Sequence, residues 1–517
     1  MIQLGISAFY HDSAACLVID GQVVAAVEEE RFTGIKHDSS FPINAINWCL
    51  KSSRVKLSSV DQVCWYENPK LKRHRVLSTF NNHLFRTFFH RIKYLFNYSK
   101  QNPKKILKKG GFKGEITYTD HHQSHAAFSY YTSKYKDAAI VTIDGVGEWE
   151  TTTISRVNDK SIEKMLGIDF PNSLGLLYST ITAYLGFKPN EGEYKVMGLA
   201  PYGDFTKYTE QLGQLISHTS NKFYLYQRPF TWEYSNKVMF NKHLCRTLEL
   251  LPRLPDEPIT QEHKDLAASL QKLYEIEFSR LLRTAKNLTK SSNLCLGGGC
   301  AYNGVANALA YKYFDSVHIP FAPSDAGSAI GACLYQYNGE KKDNTNPYLG
   351  PDFKDIEVYK SIQKHNKIRS YRLSDDLLIK KVAEILSKQK IVAWFQGKME
   401  FGPRALGNRS ILADPRNEFM QKNLNLKVKF RESFRPFAPA IIREELENWF
   451  DLQIDSPYML FVSNVLKKHC YEMSDYEKEL FGIDKLNIRR SKIPAITHVD
   501  YSARIQTVHK ETNEKFH

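Results

Sequence analysis

Residues 119–147 have the sequence TDHHQSHAAFSYYTSKYKDAAIVTIDGVG, and the remainder of the chain can be interpreted around it. It begins with His121, His122 and His125 in a segment predicted to be helical, and Asp144 follows the strand-like run AAIVTI. Because His121 and His125 are four residues apart, a helix places them on one face, one turn above the other. Two imidazoles in this arrangement can bind one metal ion, and a carboxylate after the next strand can complete the site. A helix with exposed histidines is the alternative, but carboxylate-bearing loops further along the chain favour a metal site.

The length and composition predict a multidomain protein of ordinary hydrophobicity. The chain has 517 residues, of which 42% are hydrophobic and 25% charged, and this length exceeds what one hydrophobic core usually organises. No apolar run approaches the ~20 residues that cross a bilayer, and the N-terminus lacks the basic and apolar pattern of a signal peptide. The eight cysteines are scattered without a CxxC pair, which favours reduced thiols in a cytoplasmic protein.

The charge distribution favours anionic partners. The formal net charge is +15 with a pI near 9.1, and residues 68–114 contain many lysines and arginines but no acidic residue. Nucleotides, nucleic acid, lipid head groups, acidic saccharides and small anionic substrates all fit such a block. Within it, residues 80–96 have the apolar spacing of an amphipathic helix. We expect that helix to pack on the protein's own core, with a membrane surface as the alternative.

Two similar runs of predicted strands indicate an internal duplication. The first thirty residues are predicted to form strand, loop and hairpin, with the turn at Asp20-Gly21. Residues 138–166 repeat this plan with a turn at 158–160. In the ATPase superfamily of actin, sugar kinases and heat-shock chaperones, each duplicated lobe begins in this way, and the loops hold phosphate from both sides. Two unrelated hairpins are the alternative, because hairpins are common.

Glycine-containing turns follow two of the predicted strands. Gly145 and Gly147 come directly after Asp144, and the triplet Gly297–Gly299 lies between an apolar strand and a helix. Glycines in this context let backbone amides approach a phosphate or nucleoside, although a plain tight turn is the alternative. Asp325 stands in a further loop, at the start of a helix of small residues. We predict nucleotide contact at the glycines.

The sequence changes character after the polar stretch 338–352, which is typical of a linker. We place one domain at 1–345, a linker at 346–370 and a second domain at 371–517. In the second domain, cations stand among Phe430, Phe434 and Phe437; they are Lys427, Lys429, Arg431 and Arg435. Arginines and lysines sheltered by aromatic side chains are typical of phosphate or carboxylate binding. A solvated basic surface is the weaker alternative.

Taken together, these segments resemble the O-carbamoyltransferases of the NodU/CmcH type. The matching pieces occur in order over nearly the whole chain: GISAFYHDSAACLV, EEERFTGIKHD, DHHQSHAAF, TIDGVGEWE, SLGLLY, EGEYKVMGLAPYG, LGGGCAYN, SDAGSAIGA, FGPRALGNRSILADPR, FRPFAPA, SPYML and HVDYSARIQTV. The resemblance implies an α/β fold with a duplicated actin-like (ribonuclease H-like) N-terminal domain and an α+β YrdC-like C-terminal domain. It implies that the second domain forms carbamoyl-adenylate from carbamoyl phosphate and ATP, releasing diphosphate. The first domain would then transfer the carbamoyl group to a hydroxyl of a sugar, antibiotic or glycolipid, and AMP would leave.

The resemblance also assigns residues. The implied metal ligands are His121, His125, Asp144 and Asp325, for iron or another divalent metal. His11 would face the acceptor and take its proton, and Lys36 would meet anionic groups nearby. The implied nucleotide and phosphate contacts are Gly145, Gly147, Gly297, Gly298, Gly299, Asn303, Arg404, Lys429, Arg435, Met459 and Arg504. Family members usually continue for several dozen residues beyond the HVDYSARIQTV equivalent, so we expect a truncated C-terminal domain here.

Three other functions compete with carbamoyl transfer. A tRNA-modifying enzyme of the threonylcarbamoyl class would suit the basic charge, but the second-domain motifs belong to the small-molecule family, so we predict no stable nucleic-acid partner. A non-catalytic nucleotide-binding remnant and a sugar kinase that releases ADP are the others. The histidine pair is unexpected for such a kinase. The sequence identifies neither the acceptor nor the oligomeric state, for which a homodimer is one candidate.

Overall fold

The computed structural model describes residues 1–82, 103–158, 161–235, 238–365, 367–432, 435–480 and 488–517. Two compact units divide the chain, Met1–Thr345 and Asn346–His517. The amphipathic helix predicted at 80–96 lies almost entirely outside the described residues. Among the described residues, no helix combines the length and the apolarity that crossing a membrane requires.

The first unit contains two five-stranded sheets with the same strand order. The first sheet has the order β3-β2-β1-β4-β5, formed by β1 (Ile2–Ser7), β2 (Ala14–Ile19), β3 (Gln22–Glu28), β4 (Gln62–Trp65) and β5 (Glu115–Tyr118). The second has the order β8-β7-β6-β11-β12, formed by β6 (Ala138–Ile143), β7 (Glu150–Asn158), β8 (Ser161–Asp169), β11 (Asn293–Gly297) and β12 (Ser316–His318). In each sheet the first three strands pair antiparallel and the last two add in parallel. The repeated arrangement predicted from the two hairpins is therefore present.

Local sequence explains the first hairpin. Asp20 and Gly21 have φ values of 48° and 78°, which is the left-handed conformation that a two-residue hairpin turn requires at both positions. Aspartate and glycine tolerate this conformation better than most residues. The turn thereby sets the register in which Ile19 pairs with Gln22.

Helices cover both sheets of this unit, together with a small hairpin of β9 (Ile216–His218) and β10 (Phe223–Leu225). The helices are α1 (Glu30–Thr33), α2 (Ile43–Ser52), α3 (Pro69–Asn82), α4 (Pro103–Lys109), α5 (His121–Tyr131), α6 (Leu174–Tyr184), α7 (Glu193–Leu199), α8 (Thr209–Gly213), α9 (Lys242–Leu248), α10 (Gln261–Thr289), α11 (Gly304–Asn307) and α12 (Asp325–Gln336). The predicted helices at the histidine segment, after Pro171 and at 263–286 correspond to α5, α6 and α10, so those predictions are confirmed.

Helices α5 and α12 form the centre of the first unit. Helix α5 packs on β6 and β11, helix α12 packs on β1 and β2, and the two helices pack on each other. They approach so closely that a Cβ atom built on Gly331 would lie 1.9 Å from the carbonyl oxygen of Ser124. Small residues on α12 therefore allow the two helices to meet through their backbones.

The second unit has mixed α and β structure. Its strands are β13 (Val392–Phe395), β14 (Arg409–Leu412), β15 (Ala440–Ile442), β16 (Phe461–Asn464) and β17 (Ser502–Val508), and its helices are α13 (Asp355–Gln363), α14 (Asp375–Ser387), α15 (Met420–Asn423), α16 (Leu446–Trp449) and α17 (Asp475–Glu479). Strands β13 and β14 pair, and β15-β17-β16 form a second sheet. Helix α13 lies within residues 346–370, the stretch predicted as a linker. The YrdC-like assignment and the truncation stay predictions.

Candidate active site

The four predicted metal ligands come together in the first unit. His121 and His125 project from α5, Asp144 follows β6, and Asp325 is the first residue of α12. Their nearest side-chain atoms lie within 4.8 Å of one another. Asp144 Oδ2 is 2.9 Å from His121 Nε2 and 3.0 Å from His125 Nε2, and Asp325 Oδ1 is 3.7 Å and 3.6 Å from the same two nitrogens.

These distances fit a metal site. Ligand atoms ~2.0–2.1 Å from a tetrahedral ion lie about 3.3 Å from each other, and the two Nε2 atoms are 3.1 Å apart. All four side chains are buried. Among the described residues, Asp325 Oδ2 and His121 Nδ1 are buried without a hydrogen-bond partner. Two imidazoles and two carboxylates are a donor set that suits iron or another divalent transition metal.

Electrostatics favour positive charge inside the cluster. Burial lowers the pKa of His121, but Asp325 and Asp144 outweigh it and raise the pKa to about 9. The same carboxylates raise the pKa of His125 against the effect of burial. Burial opposes ionisation of Asp144, but both histidines hold its pKa well below the usual range. A divalent cation can replace the protons that these imidazoles otherwise hold, because metal ligands bind in their deprotonated forms.

Two residues that we did not assign from the sequence hold the ligand helix in place. The Glu148 carboxylate accepts the backbone N–H of His121 at 3.0 Å, and that of Asn68 as well. The Ser328 hydroxyl lies 3.0 Å from His125 Nδ1. Both residues belong to segments that carry the family resemblance, GVGEWE and SDAGSAIGA, which was the signal available for them. His122 points elsewhere, to the Thr142 hydroxyl and the Glu150 carbonyl.

The predicted glycines converge on Asp144. The N–H groups of Gly145 and Gly299 donate to Asp144 Oδ1 at 2.8 and 3.4 Å. Gly298 has φ 85°, and a Cβ atom there would lie 2.2 Å from the Ile143 carbonyl oxygen, so this position excludes any side chain. A Cβ on Gly297 would meet Ser129 and one on Gly147 would meet the rings of His121 and His122. The turns after β6 and β11 thus meet beside the cluster of two histidines and two aspartates.

Asn303 is engaged within the protein. Its side-chain oxygen accepts the N–H of Ala306, at the start of α11. Its amide also exchanges two hydrogen bonds with Gln271 of α10. Asn303 therefore organises the segment after the glycine triplet, and its role as an adenosine contact stays a prediction.

His11 and Lys36 differ in their surroundings. Burial lowers the pKa of His11, but Asp325, Asp12 and Asp144 raise it to about 9, so this imidazole lies within the electrostatic field of the cluster. The Lys36 side chain is 62% exposed, and its Nζ lies 3.7 Å from Glu30 Oε1. The structure thus places His11 toward the predicted centre and Lys36 at its exposed periphery.

The predicted arginines of the second unit belong to one cationic cluster. Burial lowers the pKa of Arg504, and the charges of Arg404, Arg431 and Arg435 lower it further. Burial and the neighbouring Arg431 and Arg435 also lower the pKa of Lys429. Such a concentration of positive charge favours an anionic ligand. Met459, the remaining predicted residue, has a left-handed backbone with φ 58°.

One argument for this cluster was wrong. We expected Phe430 to shelter the cations, but its side chain is 84% exposed. Phe437 does contact the cluster, since its ring centre lies 4.7 Å from the Arg431 guanidinium carbon. Hydrogen bonds within the fold hold this segment instead. Asn425, which is buried in a short π-helical turn, accepts a hydrogen bond from Arg431 Nε and donates one to the Arg435 carbonyl.

Comparison with known proteins identifies the family. The family models described as carbamoyltransferase N-terminus and carbamoyltransferase C-terminus match residues 2–334 and 383–517. An uncharacterized protein of Synechocystis sp. is 44% identical over 99% of this chain and 87% of its own length. Nodulation protein NolNO of Sinorhizobium fredii is 33% identical over 99% of this chain and 71% of its own. The 3'-hydroxymethylcephem-O-carbamoyltransferase of Streptomyces clavuligerus is 28% identical over 62% and 54%.

The chain therefore belongs to the carbamoyltransferase family. It is an enzyme of the transferase class, as the resemblance to the NodU/CmcH type predicted.

Proposed function

We propose that the chain is an O-carbamoyltransferase that forms carbamoyl-adenylate and passes its carbamoyl group to the hydroxyl of a saccharide or another small acceptor. The observation that carries the proposal is the convergence of His121, His125, Asp144 and Asp325 beside two glycine turns. This arrangement can hold iron or another divalent metal next to a nucleotide.

The repeated strand order supports an actin-like assignment for residues 1–345. We assign residues 371–517 as a YrdC-like domain because the cationic cluster of that unit suits phosphorylated substrates, and residues 346–370 as the connection. In the second domain, carbamoyl phosphate would lose phosphate to water, and the resulting carbamate oxygen would attack the α-phosphorus of ATP. Diphosphate leaves, and the lysine and arginines offset the negative charge of both substrates.

In the first domain, the acceptor hydroxyl attacks the carbonyl carbon of the carbamoyl-adenylate, and AMP leaves with the electron pair of the broken C–O bond. AMP is a good leaving group, whereas a free carbamate carbonyl is a poor electrophile. His11 is positioned to take the hydroxyl proton. A bound metal would supply Lewis acidity that offsets charge on the nucleotide phosphate.

The test combines carbamoyl phosphate, ATP and a panel of hydroxylated glycosides with the purified chain. We expect diphosphate, AMP and a product heavier by one carbamoyl group, detected by mass spectrometry. Metal content measured by elemental analysis should approach one ion per chain and should fall in the double variant H121A/H125A. The matched control H74A/H243A removes two histidines outside the cluster and should keep the metal.

Three outcomes would contradict the proposal. Release of ADP in place of AMP would indicate a kinase, and salt-sensitive retention on bulk tRNA with transfer to it would indicate a tRNA-modifying enzyme. Nucleotide binding without diphosphate release would indicate a non-catalytic protein.

A further inference from the structure

Asp12 lies between two histidines in the first unit. Its Oδ2 is 3.2 Å from His11 Nδ1, and its Oδ1 is 2.5 Å from His37 Nδ1. The hydroxyl of Ser324, the residue just before α12, is 3.5 Å from Oδ2. One carboxylate therefore joins the loop after β1 to the loop after α1, close to the start of the helix that carries Asp325.

Backbone contacts hold this carboxylate in place. The two loops are joined by hydrogen bonds from Phe9 N–H to the Ser39 carbonyl and from Ser13 N–H to the Asp38 carbonyl, each 3.0 Å long. Asp12 itself has φ 54°, a left-handed conformation that disfavours most side chains and that aspartate tolerates. The position of the carboxylate is thus fixed by the fold on both sides of the residue.

The protonation state of Asp12 decides which His11 nitrogen can accept a proton. Burial opposes ionisation of Asp12, but its hydrogen bonds with His11 and His37 hold its pKa far below the usual range. An ionised carboxylate only accepts hydrogen bonds. Nδ1 of His11 and Nδ1 of His37 must therefore each carry a proton and donate it to Asp12. Neutral His11 then has its lone pair at Nε2.

We propose that Asp12 is a positioning residue for carbamoyl transfer, which fixes His11 Nε2 as the basic atom and is itself oriented by His37. This inference rests on the proposed function. As the acceptor oxygen bonds to the carbonyl carbon and AMP departs, the hydroxyl proton moves to His11 Nε2. Asp12 stays ionised and stabilises the imidazolium, which later returns the proton to solvent.

The test compares D12N with D20N. Asp20 stands at the other end of β2, also in a left-handed conformation with φ 48°, and its side chain pairs with the N-terminal amine. We expect D12N to lower kcat for transfer by roughly 100-fold, within the ~10²–10⁴-fold that a positioned base supplies, with little change in the KM of the acceptor. Diphosphate release, a reaction of the second unit, should be unchanged in both variants.

A pH profile separates positioning from a structural role. The charged groups that face His11 are Asp12, Asp325 and Asp144, and Glu30 accepts from the His37 backbone. The rate rises with pH as His11 loses its proton. Because Asp12 raises the pKa of His11, D12N should move this rise to lower pH, whereas a structural defect lowers the rate by one factor at every pH.

The outcomes distinguish this inference from the proposed function. If the unmodified chain transfers carbamoyl groups but D12N matches D20N in kcat and pH profile, Asp12 has no positioning role, although the enzyme assignment stands. A uniform loss without a shift of the profile also overturns the inference. If D12N does not fold, D12E keeps the charge and should retain the profile of the unmodified chain with a reduced kcat; a displaced profile in D12E would count against the inference.

Discussion

At the scale of single residues, Ser328 contacts His125, one of the four predicted metal ligands. Its hydroxyl lies 3.0 Å from His125 Nδ1, while His125 Nε2 lies 3.0 Å from Asp144 Oδ2. Histidines that bind metals usually donate their second ring N–H to such a partner. Ser328 lies one turn after Asp325 on α12, so the same helix supplies one ligand and orients another.

We expect S328A to weaken metal binding by about 10- to 100-fold, because the imidazole loses the partner that fixes its tautomer and angle. The measurement is a competition between the protein and a chelator of known affinity. S269A is the matched control, since Ser269, on α10, is equally buried and its hydroxyl donates to the Phe205 carbonyl. Equal metal affinity in the two variants would show that Ser328 does not orient His125.

The sequence predicted which four side chains come together but not the residues that hold them in place. The spacing of His121 and His125 and the strand before Asp144 are local signals, so their pairing could be predicted from the sequence. Asp325 required the family resemblance, because its separation from Asp144 along the chain carries no geometric information. Glu148 and Ser328 form their hydrogen bonds through the tertiary fold, and neither spacing nor periodicity indicates such contacts.

At the scale of elements, the packing of α5 on α12 determines the shape of the cluster. Because Gly331 has no side chain, the backbone of α12 lies against Ser124, the residue before His125. The absence of a side chain at Gly327 leaves space for the ring of Phe128. The two helices are therefore held by main-chain contact at Gly331 and by the Phe128 ring at Gly327. The sequence indicated a helix of small residues, but the identity of its partner became visible only in the fold.

We expect G331A to lower the free energy of unfolding by about 1–3 kcal/mol, because overpacking a close contact forces backbone shifts. The same variant should bind less metal, since any separation of the helices moves Asp325 away from the histidines. Chemical denaturation and elemental analysis are the measurements. At Gly213, in α8, an added Cβ meets nothing within 4 Å, so G213A is the control and should change neither quantity appreciably.

Helices and strands were predicted correctly where a turn motif or a long run of periodic apolar residues determines them. The Asp20-Gly21 turn and the long helix α10 followed from local signals, because hairpin turns and apolar periodicity act over short distances. The linker stretch 346–370 contains α13, which has no buried residue. A helix without an apolar face in the core leaves little periodic signal, and flanking polar residues concealed it.

At the scale of the whole molecule, each unit contains its own cluster of ionisable side chains. The first unit gathers buried carboxylates with histidines, and the second gathers arginines and a lysine. Arg504 Nε is buried without a hydrogen-bond partner among the described residues, and three other arginines oppose its charge. Repulsion among these arginines lowers the stability of the ligand-free protein, and a bound anion would relieve it.

We expect R504Q to raise the melting temperature of the ligand-free protein, because one of the mutually repelling charges is removed. The substitution should also reduce the stabilisation produced by ATP or carbamoyl phosphate. A ligand at 100 times its Kd stabilises a protein with one binding site by ~2.7 kcal/mol. Differential scanning fluorimetry measures both effects. R416Q, which removes an exposed arginine from its pair with the buried Asp414 carboxylate, should leave the ligand-induced shift unchanged; an equal ligand-induced shift in R504Q would exclude Arg504 from the anion site.

The backbone contact between α5 and α12 also bears on which ions can enter. The span from the histidine pair to Asp325 is set by peptide geometry, so it can adjust little to ionic radius. Calcium prefers six to eight oxygens at ~2.3–2.6 Å. Binding it would require a larger distance between the two helices, which are already in contact at Gly331 and Ser124. The main-chain contact would therefore disfavour calcium by size, and the two imidazole nitrogens would disfavour magnesium, which prefers oxygen ligands.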